Sequence, residues 1–153
     1  MAEKRVQRRL AAILAADVVG YSRMMGADET GTLRRLNVLR GEVLHPKVEE
    51  YGGRVVKTTG DGTLIEFPSA VDAVQHAVEV QQEIARRNAE LTDDEPIRVR
   101  IGINVGDVIV EDDDIFGDGV NVAARLESLA DPGGICVSDS VFHQVQDLSL
   151  IHI

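Results

Sequence analysis

The chain has 153 residues, 44 % hydrophobic and 27 % charged, the balance of one globular domain able to bury a core and not that of a disordered chain. Aromatic residues amount to 3 %, with no Trp, which argues against a stacking platform for single-stranded nucleic acid, and a formal charge of −10 has the wrong sign for a duplex-binding footprint. A polyphosphate ligand would have to be held by local cations, either metal ions or a few placed Lys and Arg, because the net negative charge of the chain offers no bulk attraction.

Met1 to Leu10 is charged and lacks the apolar core of a signal peptide. The run Leu10 to Val19, LAAILAADVV, is too short to span a bilayer and is interrupted by Asp17. The expectation is a cytoplasmic protein that makes no membrane contact through this chain. The same run reads as a central strand covered on both faces, because it is apolar almost throughout. Asp28 to Tyr51 reads as helical from the spacing of Leu33, Leu36, Leu39, Val43, Leu44 and Val48; Gly52-Gly53 stops it, and Pro46 implies a kink or break near His45. Arg54 to Thr58 and Thr63 to Phe67 are β-prone, and Thr59-Gly60-Asp61-Gly62 between them reads as a tight hairpin tip.

Ser69 to Asn88 is the clearest helix, capped by Ser69 with Asp72 three residues on, and with Val71, Val74, Ala77, Val78, Gln81 and Ile84 repeating along one face. Leu91 to Pro96 is an acidic loop. Ile97 to Val105 alternates, and Val108 to Val110 reads as a second strand joined to it through Gly106-Asp107. Glu111 to Asp114 is a run of four acids. A helix from about Val120 to Ala130 follows, broken by Pro132-Gly133-Gly134. Ile135 to Val137 is a short strand, and Ser138 caps a last short helix to Val145. The single Cys136 forms no internal disulfide, which fits a reducing compartment, and reads as a small buried apolar residue. The order β α β β α β β α β α, with hairpins as well as crossovers, points to an α+β sandwich with helices on a mainly antiparallel sheet.

Three places carry possible chemistry. Asp17 lies at the end of a buried strand, where a carboxylate costs free energy unless it is paired or bound to metal; the plainer reading is a cap for the next helix. Gly20 behind it permits a turn whose backbone N–H groups face an anion. Asp61 sits on the hairpin tip, where Asp-Gly is an ordinary turn, and Lys57 four residues before it is an ordinary strand lysine on the plainer reading. Asn121 and Arg125, four apart near the start of a helix, share a face and are able to act on one anion, or are simply a solvated pair. His45, His76, His143 and His152 have no ligand-like spacing and read as structural or surface residues.

Taken together, AADVVGYS, VVKTTGDG, RIGINVGDV and DIFGDGVNVAARLES, in this order from about Arg9 to Val145, resemble the class III adenylyl and guanylyl cyclase catalytic domain. The resemblance implies a ferredoxin-like, βαββαβ-derived α+β domain over residues 9–146, with residues 1–8 as an extension. It makes Asp17 and Asp61 metal ligands together with the backbone carbonyl of Val18, for two Mg²⁺ or Mn²⁺ ions per site. It places Tyr21 and Ser22 where backbone amides meet a triphosphate. Lys57 and Asp114 match the pair that reads the purine, Asn121 the residue that orients the ribose, and Arg125 the one that stabilises the transition-state phosphate. Metal and purine residues come from different subunits in this family, so ATP would be converted to cyclic AMP in two shared sites of a homodimer, without nucleic acid as a partner.

Two departures accompany the resemblance. Family members continue past the last helix with a strand hairpin carrying a triphosphate-binding lysine, whereas residues 147–153, DLSLIHI, offer no such lysine and read as an atypical, truncated end. Asp107 stands near the point where many relatives have an Arg on phosphate. The competing expectation is therefore a catalytically weak or silent cyclase-like module that dimerises or senses nucleotide. A diguanylate cyclase is a further rival, but its Gly-Gly-Asp/Glu-Glu-Phe signature is absent, the tip reading Thr59-Gly60-Asp61-Gly62.

Overall fold

The computed structural model describes residues 7–146; the expected extension up to residue 6, the atypical end at 147–153 and His152 lie outside them. Strand β1 (Gln7–Val18) is central: it pairs antiparallel with β3 (Gly62–Phe67) on one side and with β4 (Val99–Glu111) on the other. β2 (Arg54–Thr58) extends the sheet beyond β3, giving the order β2-β3-β1-β4 of a ferredoxin-like unit. The far edge of β4 is shared by β5 (Asp114–Phe116), antiparallel, and β6 (Ile135–Val137), parallel.

Residues that alternate along β1 feed two cores, as its almost unbroken apolar sequence demands. Ala12, Leu14, Ala16 and Val18 face the larger core with Ile65, Ile101 and Ile103, covered by α4 (Ala70–Ala89) and closed by Val141 and Val145 of α6 (Asp139–Val145). Ala11, Ile13 and Ala15 face a smaller one with Leu64, Val108 and Ile115, covered by α5 (Asp118–Leu129) through Ala123. The sheet curls around this second core, so that its edges meet: Arg54 Nη1 donates to the Asp113 carbonyl at 2.9 Å.

Ser69 caps α4 as expected, its hydroxyl accepting from the Asp72 N–H at 3.1 Å, and Ser138 caps α6. Three expectations are corrected. Gly106-Asp107 is no turn: Gly106 stays opposite Ala11 and Asp107 opposite Leu10, so the two expected strands are one of 13 residues. The continuous partner strand decides this, and the hairpin lies instead at Glu111 to Asp114, where Asp112 takes a positive φ of 55°. The expected helix Asp28 to Tyr51 is α2 (Glu29–Leu39), a π turn (Arg40–Leu44) and α3 (His45–Glu50), preceded by an unforeseen α1 (Tyr21–Ala27). Pro46 is the cause: its ring clashes with the carbonyl four residues back in an α-helix, and one extra residue in the turn opens that space, the His45 N–H reaching the Arg40 carbonyl five back. Cys136 is half-buried at the sheet edge rather than fully buried.

Candidate active site

The β1–β3 ladder places the two acids side by side in the backbone. Asp17 is opposite Gly62, and one step further the Val18 N–H donates to the Asp61 carbonyl at 3.1 Å. Within the β2–β3 tip, the Thr59 N–H donates to the Gly62 carbonyl at 2.9 Å, so Asp61 is fixed by main-chain bonds on both flanks. Asp17, Val18 and Asp61 line one cavity of about 40 Å³, whose remaining wall is largely apolar and comes from α2, the π turn and α4.

Asp17 is half-buried, and its Oδ1 is buried without a fixed donor among the described residues. Such an orphaned acceptor costs about 1–3 kcal/mol, more when charged, unless a cation or donor meets it. This fits a metal ligand and does not fit a helix cap: α1 begins at Gly20 with no side-chain cap at all. Among the described residues no three His, Cys, Asp or Glu side chains gather to hold an ion. A cation placed here would meet the two carboxylates and backbone oxygen, leaving other positions to water and phosphate oxygens, in the manner of hard cations that remain largely hydrated.

The turn after Asp17 is made by Gly20, whose φ of 72° favours glycine, and it opens the first turn of α1 with Tyr21 and Ser22. Tyr21 leans on the hairpin tip: a Cβ on Gly60 would come within 3.0 Å of its hydroxyl. Tyr21, Ser22, Asp17 and Asp61 therefore belong to one end of the molecule.

Lys57 and Asp114 meet across the curled sheet, Nζ lying 3.4 Å from the carboxylate, with the ammonium 5.7 Å from the Phe116 ring centre. Nothing in their sequence separation announces this; it follows from β2 and β5 being opposite edges of a curled sheet. Asn121 and Arg125 lie on α5, both exposed, and Arg125 reaches only Asp118 at 3.8 Å. Neither lines the cavity with Asp17 and Asp61.

Two residues of this region escape a reading of the sequence. Glu127 is buried on α5 beside Asp17; burial, together with the Asp17 carboxylate it bonds, pushes its carboxyl up to about 8. Its position is set by Gly102, opposite Ala15: a Cβ there would stand 2.2 Å from the Glu127 nitrogen, so only glycine lets α5 seat this low. The signal was present, since Gly119, Ala123 and Glu127 are spaced by four and form the buried face of α5. The second is Arg40, which lines the cavity. Of the histidines, His76 is fully buried and bonds the Leu44 carbonyl at 3.2 Å, His143 pairs with Asp139 on the surface, and His45 is exposed.

The pattern of the family described as the adenylate and guanylate cyclase catalytic domain matches residues 5–150. The chain belongs to this family. The cyclase domain is 55 % identical over 145 residues to a putative adenylate cyclase 3 of Rhizobium meliloti (strain 1021), covering 95 % of this chain and 25 % of that protein. It is 34 % identical over 140 residues to an adenylate cyclase of Streptomyces coelicolor, covering 92 % of this chain and 35 % of the other. Among solved structures, an adenylate/guanylate cyclase/hydrolase from Silicibacter pomeroyi matches with a TM-score of 0.88 and 51 % identity, over 94 % of this chain and 83 % of that one. The adenylyl cyclase CyaB from P. aeruginosa matches with a TM-score of 0.81 and 25 % identity, over 94 % and 84 %. The domain thus spans about a quarter to a third of the curated cyclases it resembles. No helix among the described residues is long and apolar enough to cross a membrane.

Proposed function

We propose that this cyclase domain converts ATP to 3′,5′-cyclic AMP and pyrophosphate at the interface of a homodimer with two shared sites. The observation that carries the reading is the cavity bearing both Asp17 and Asp61, one of them with a buried oxygen that meets no fixed donor among the described residues. In the reaction the ribose O3′ bonds to the α-phosphorus, the bond from that phosphorus to the pyrophosphate oxygen breaks, and the hydroxyl proton is released. Asp17 and Asp61, with the Val18 carbonyl, would hold two Mg²⁺ or Mn²⁺ ions, which when bound lower the pKa of the attacking hydroxyl and offset charge on the departing phosphates.

The remaining work falls to side chains and amides of the chain. The uncapped first turn of α1 presents the Tyr21 and Ser22 N–H groups to the triphosphate. Lys57 donates to adenine N1 while Asp114 accepts from N6; their present ion pair is partly exposed and easily exchanged. Guanine would set its O6 acceptor against the Asp114 carboxylate, and a mismatch of this kind between polar groups discriminates strongly. Asn121 and Arg125 of the partner subunit's α5 orient the ribose and meet the charge that develops on phosphate, which accounts for their exposure in a single chain.

The test is product analysis on the purified domain with ATP and with GTP, each in Mg²⁺ and in Mn²⁺. Cyclic AMP and pyrophosphate in equal amounts from ATP are expected. A folded dimer that binds ATP yet forms no cyclic nucleotide would overturn the enzymatic reading in favour of a nucleotide-sensing module.

A further inference from the structure

The tip that carries Asp61 is short, and Thr58, Thr59 and Gly60 are exposed. Two carbonyls immediately before Asp61 would face solvent but for one side chain. Arg40 Nη2 donates to the Gly60 carbonyl at 2.6 Å and to the Thr59 carbonyl at 3.4 Å. Among the described residues Arg40 makes no ion pair, although it lines the same cavity as Asp17 and Asp61. It is thus engaged by backbone rather than by an acid.

Arg40 is also the first residue of the π turn. A π turn inserts one residue into a helix and is found mostly where side-chain direction matters. Here it separates α2 from α3, with Leu36 of α2 and Val48 of α3 both buried in the larger core, so it is Arg40 that the irregularity turns to the hairpin tip. With Tyr21 against Gly60 on one flank and Arg40 on the two carbonyls, the tip is held from two directions.

We propose that Arg40 is a positioning residue: its guanidinium clamps the 59–60 carbonyls and so keeps the Asp61 carboxylate beside Asp17 before nucleotide arrives. The proposal rests on the metal-binding reading of those two acids. Both contacts come from the one nitrogen Nη2, which the planar guanidinium holds at a fixed reach and direction, whereas an ammonium sits on a shorter, freely rotating stem, so Lys is an incomplete substitute.

The experiment compares wild type, Arg40→Ala, Arg40→Lys and Asp61→Ala, all free of nucleotide. Amide hydrogen exchange is followed at Val18, whose N–H bonds the Asp61 carbonyl, and at Thr59, whose N–H bonds Gly62; Mn²⁺ uptake is followed by paramagnetic resonance. Arg40→Ala is expected to speed exchange at Val18 and Thr59 about tenfold while α4 and β4 keep their protection, to weaken Mn²⁺ binding about tenfold, and to leave the melting temperature within a few degrees; Arg40→Lys falls between. Unchanged exchange at both amides overturns the clamp. Faster exchange with unaltered Mn²⁺ binding overturns its purpose, provided Asp61→Ala abolishes binding. If wild type and Asp61→Ala take up Mn²⁺ equally, the metal reading of Asp61 has failed, and the exchange data alone decide whether Arg40 holds the tip.

Discussion

The two acids and the α5 pair are built in opposite ways. Asp17 and Asp61 sit where β1 and the β2–β3 tip share main-chain bonds, on a cavity backed by α2, the π turn and α4. Asn121 and Arg125 stand on the solvent side of α5 with little to hold them, the nearest charge to Arg125 being Asp118 at 3.8 Å. One region is finished within a single chain, and the other is left open. On the proposed reading, the half-site pinned by main-chain bonds and carrying an unsatisfied buried oxygen suits a cation, and the half-site of exposed donors suits a partner surface.

The hardest way to break the comparison is to remove the rigid side. Asp17→Ala and Asp61→Ala are each expected to lower turnover by about 10³-fold or more, the loss of several kcal/mol of charge stabilisation. Asp17→Ala should shift the melting temperature by only a few degrees, because it removes a buried oxygen that meets no fixed donor together with a carboxylate that crowds Glu127. Activity within tenfold of wild type in either variant would refute the assignment. Arg125→Ala comes next, with an expected loss of about 10²–10³-fold in kcat and no change in stability, since its side chain is 72 % exposed. Mixing equal amounts of Asp17→Ala and Arg125→Ala should restore about a quarter of the wild-type rate, because half of random dimers are hybrids with one whole site of two. No rescue from demonstrated hybrids would mean that both half-sites serve the same chain.

A smaller effect bears on the third pair. Lys57→Glu replaces the donor to adenine N1 by an acceptor and sets two carboxylates 57 residues apart in sequence against each other across the curled edge. The ratio of kcat/KM for ATP over GTP should fall about tenfold or more, measured on both substrates in one metal. An unchanged ratio would place base recognition elsewhere.

Much of this was legible in the amino-acid sequence, for reasons that differ by element. β1, β3 and α4 were legible because burial leaves a pattern: the run at Leu10 to Val19, apolar except for Asp17, the β-prone Thr63 to Phe67, and the 3.6-residue repeat after Ser69. α1 was not, because Tyr21–Ala27 buries Met24 alone and so has no period to show. The single strand Val99–Glu111 was misread because glycine and aspartate punctuate most chains, whereas Gly106 lacks a side chain here so that α5 can approach, with Gly119 Cα 3.3 Å from where its Cβ would be. Asp17 stood out as a charge in an apolar run. Glu127 and Arg40 did not, since a charge in a helix reads as solvated until the packing of that helix is known, and the break at Pro46 marked a kink without saying which side chain it would aim.

The smallest expected effect concerns the scaffold beneath the rigid half-site. His76 of α4 is fully buried, packs at a 47° tilt against Phe67 with ring centres 4.9 Å apart, and donates through Nε2 to the carbonyl of Leu44, the last residue of the π turn. Burial holds its pKa down at about 4, against an ordinary value of 6.5. Between those two values the unfolded chain binds a proton that the native ring refuses, so this group's contribution to stability is full above pH 6.5 and is lost as the pH falls toward 4. From pH 7 to pH 5.5 the loss is roughly 1 kcal/mol. Glu127 works in the opposite direction, because its raised carboxyl makes the native state bind more protons between 4.5 and about 8, so its contribution falls as the pH rises. Wild-type denaturation alone would therefore mix the two. His76→Gln keeps a donor for the Leu44 carbonyl and cannot titrate, so the difference between wild-type and variant urea curves isolates the histidine. That difference should shrink in favour of the variant as the pH is lowered, and a difference independent of pH would show that the turn bearing Arg40 does not rest on a neutral ring.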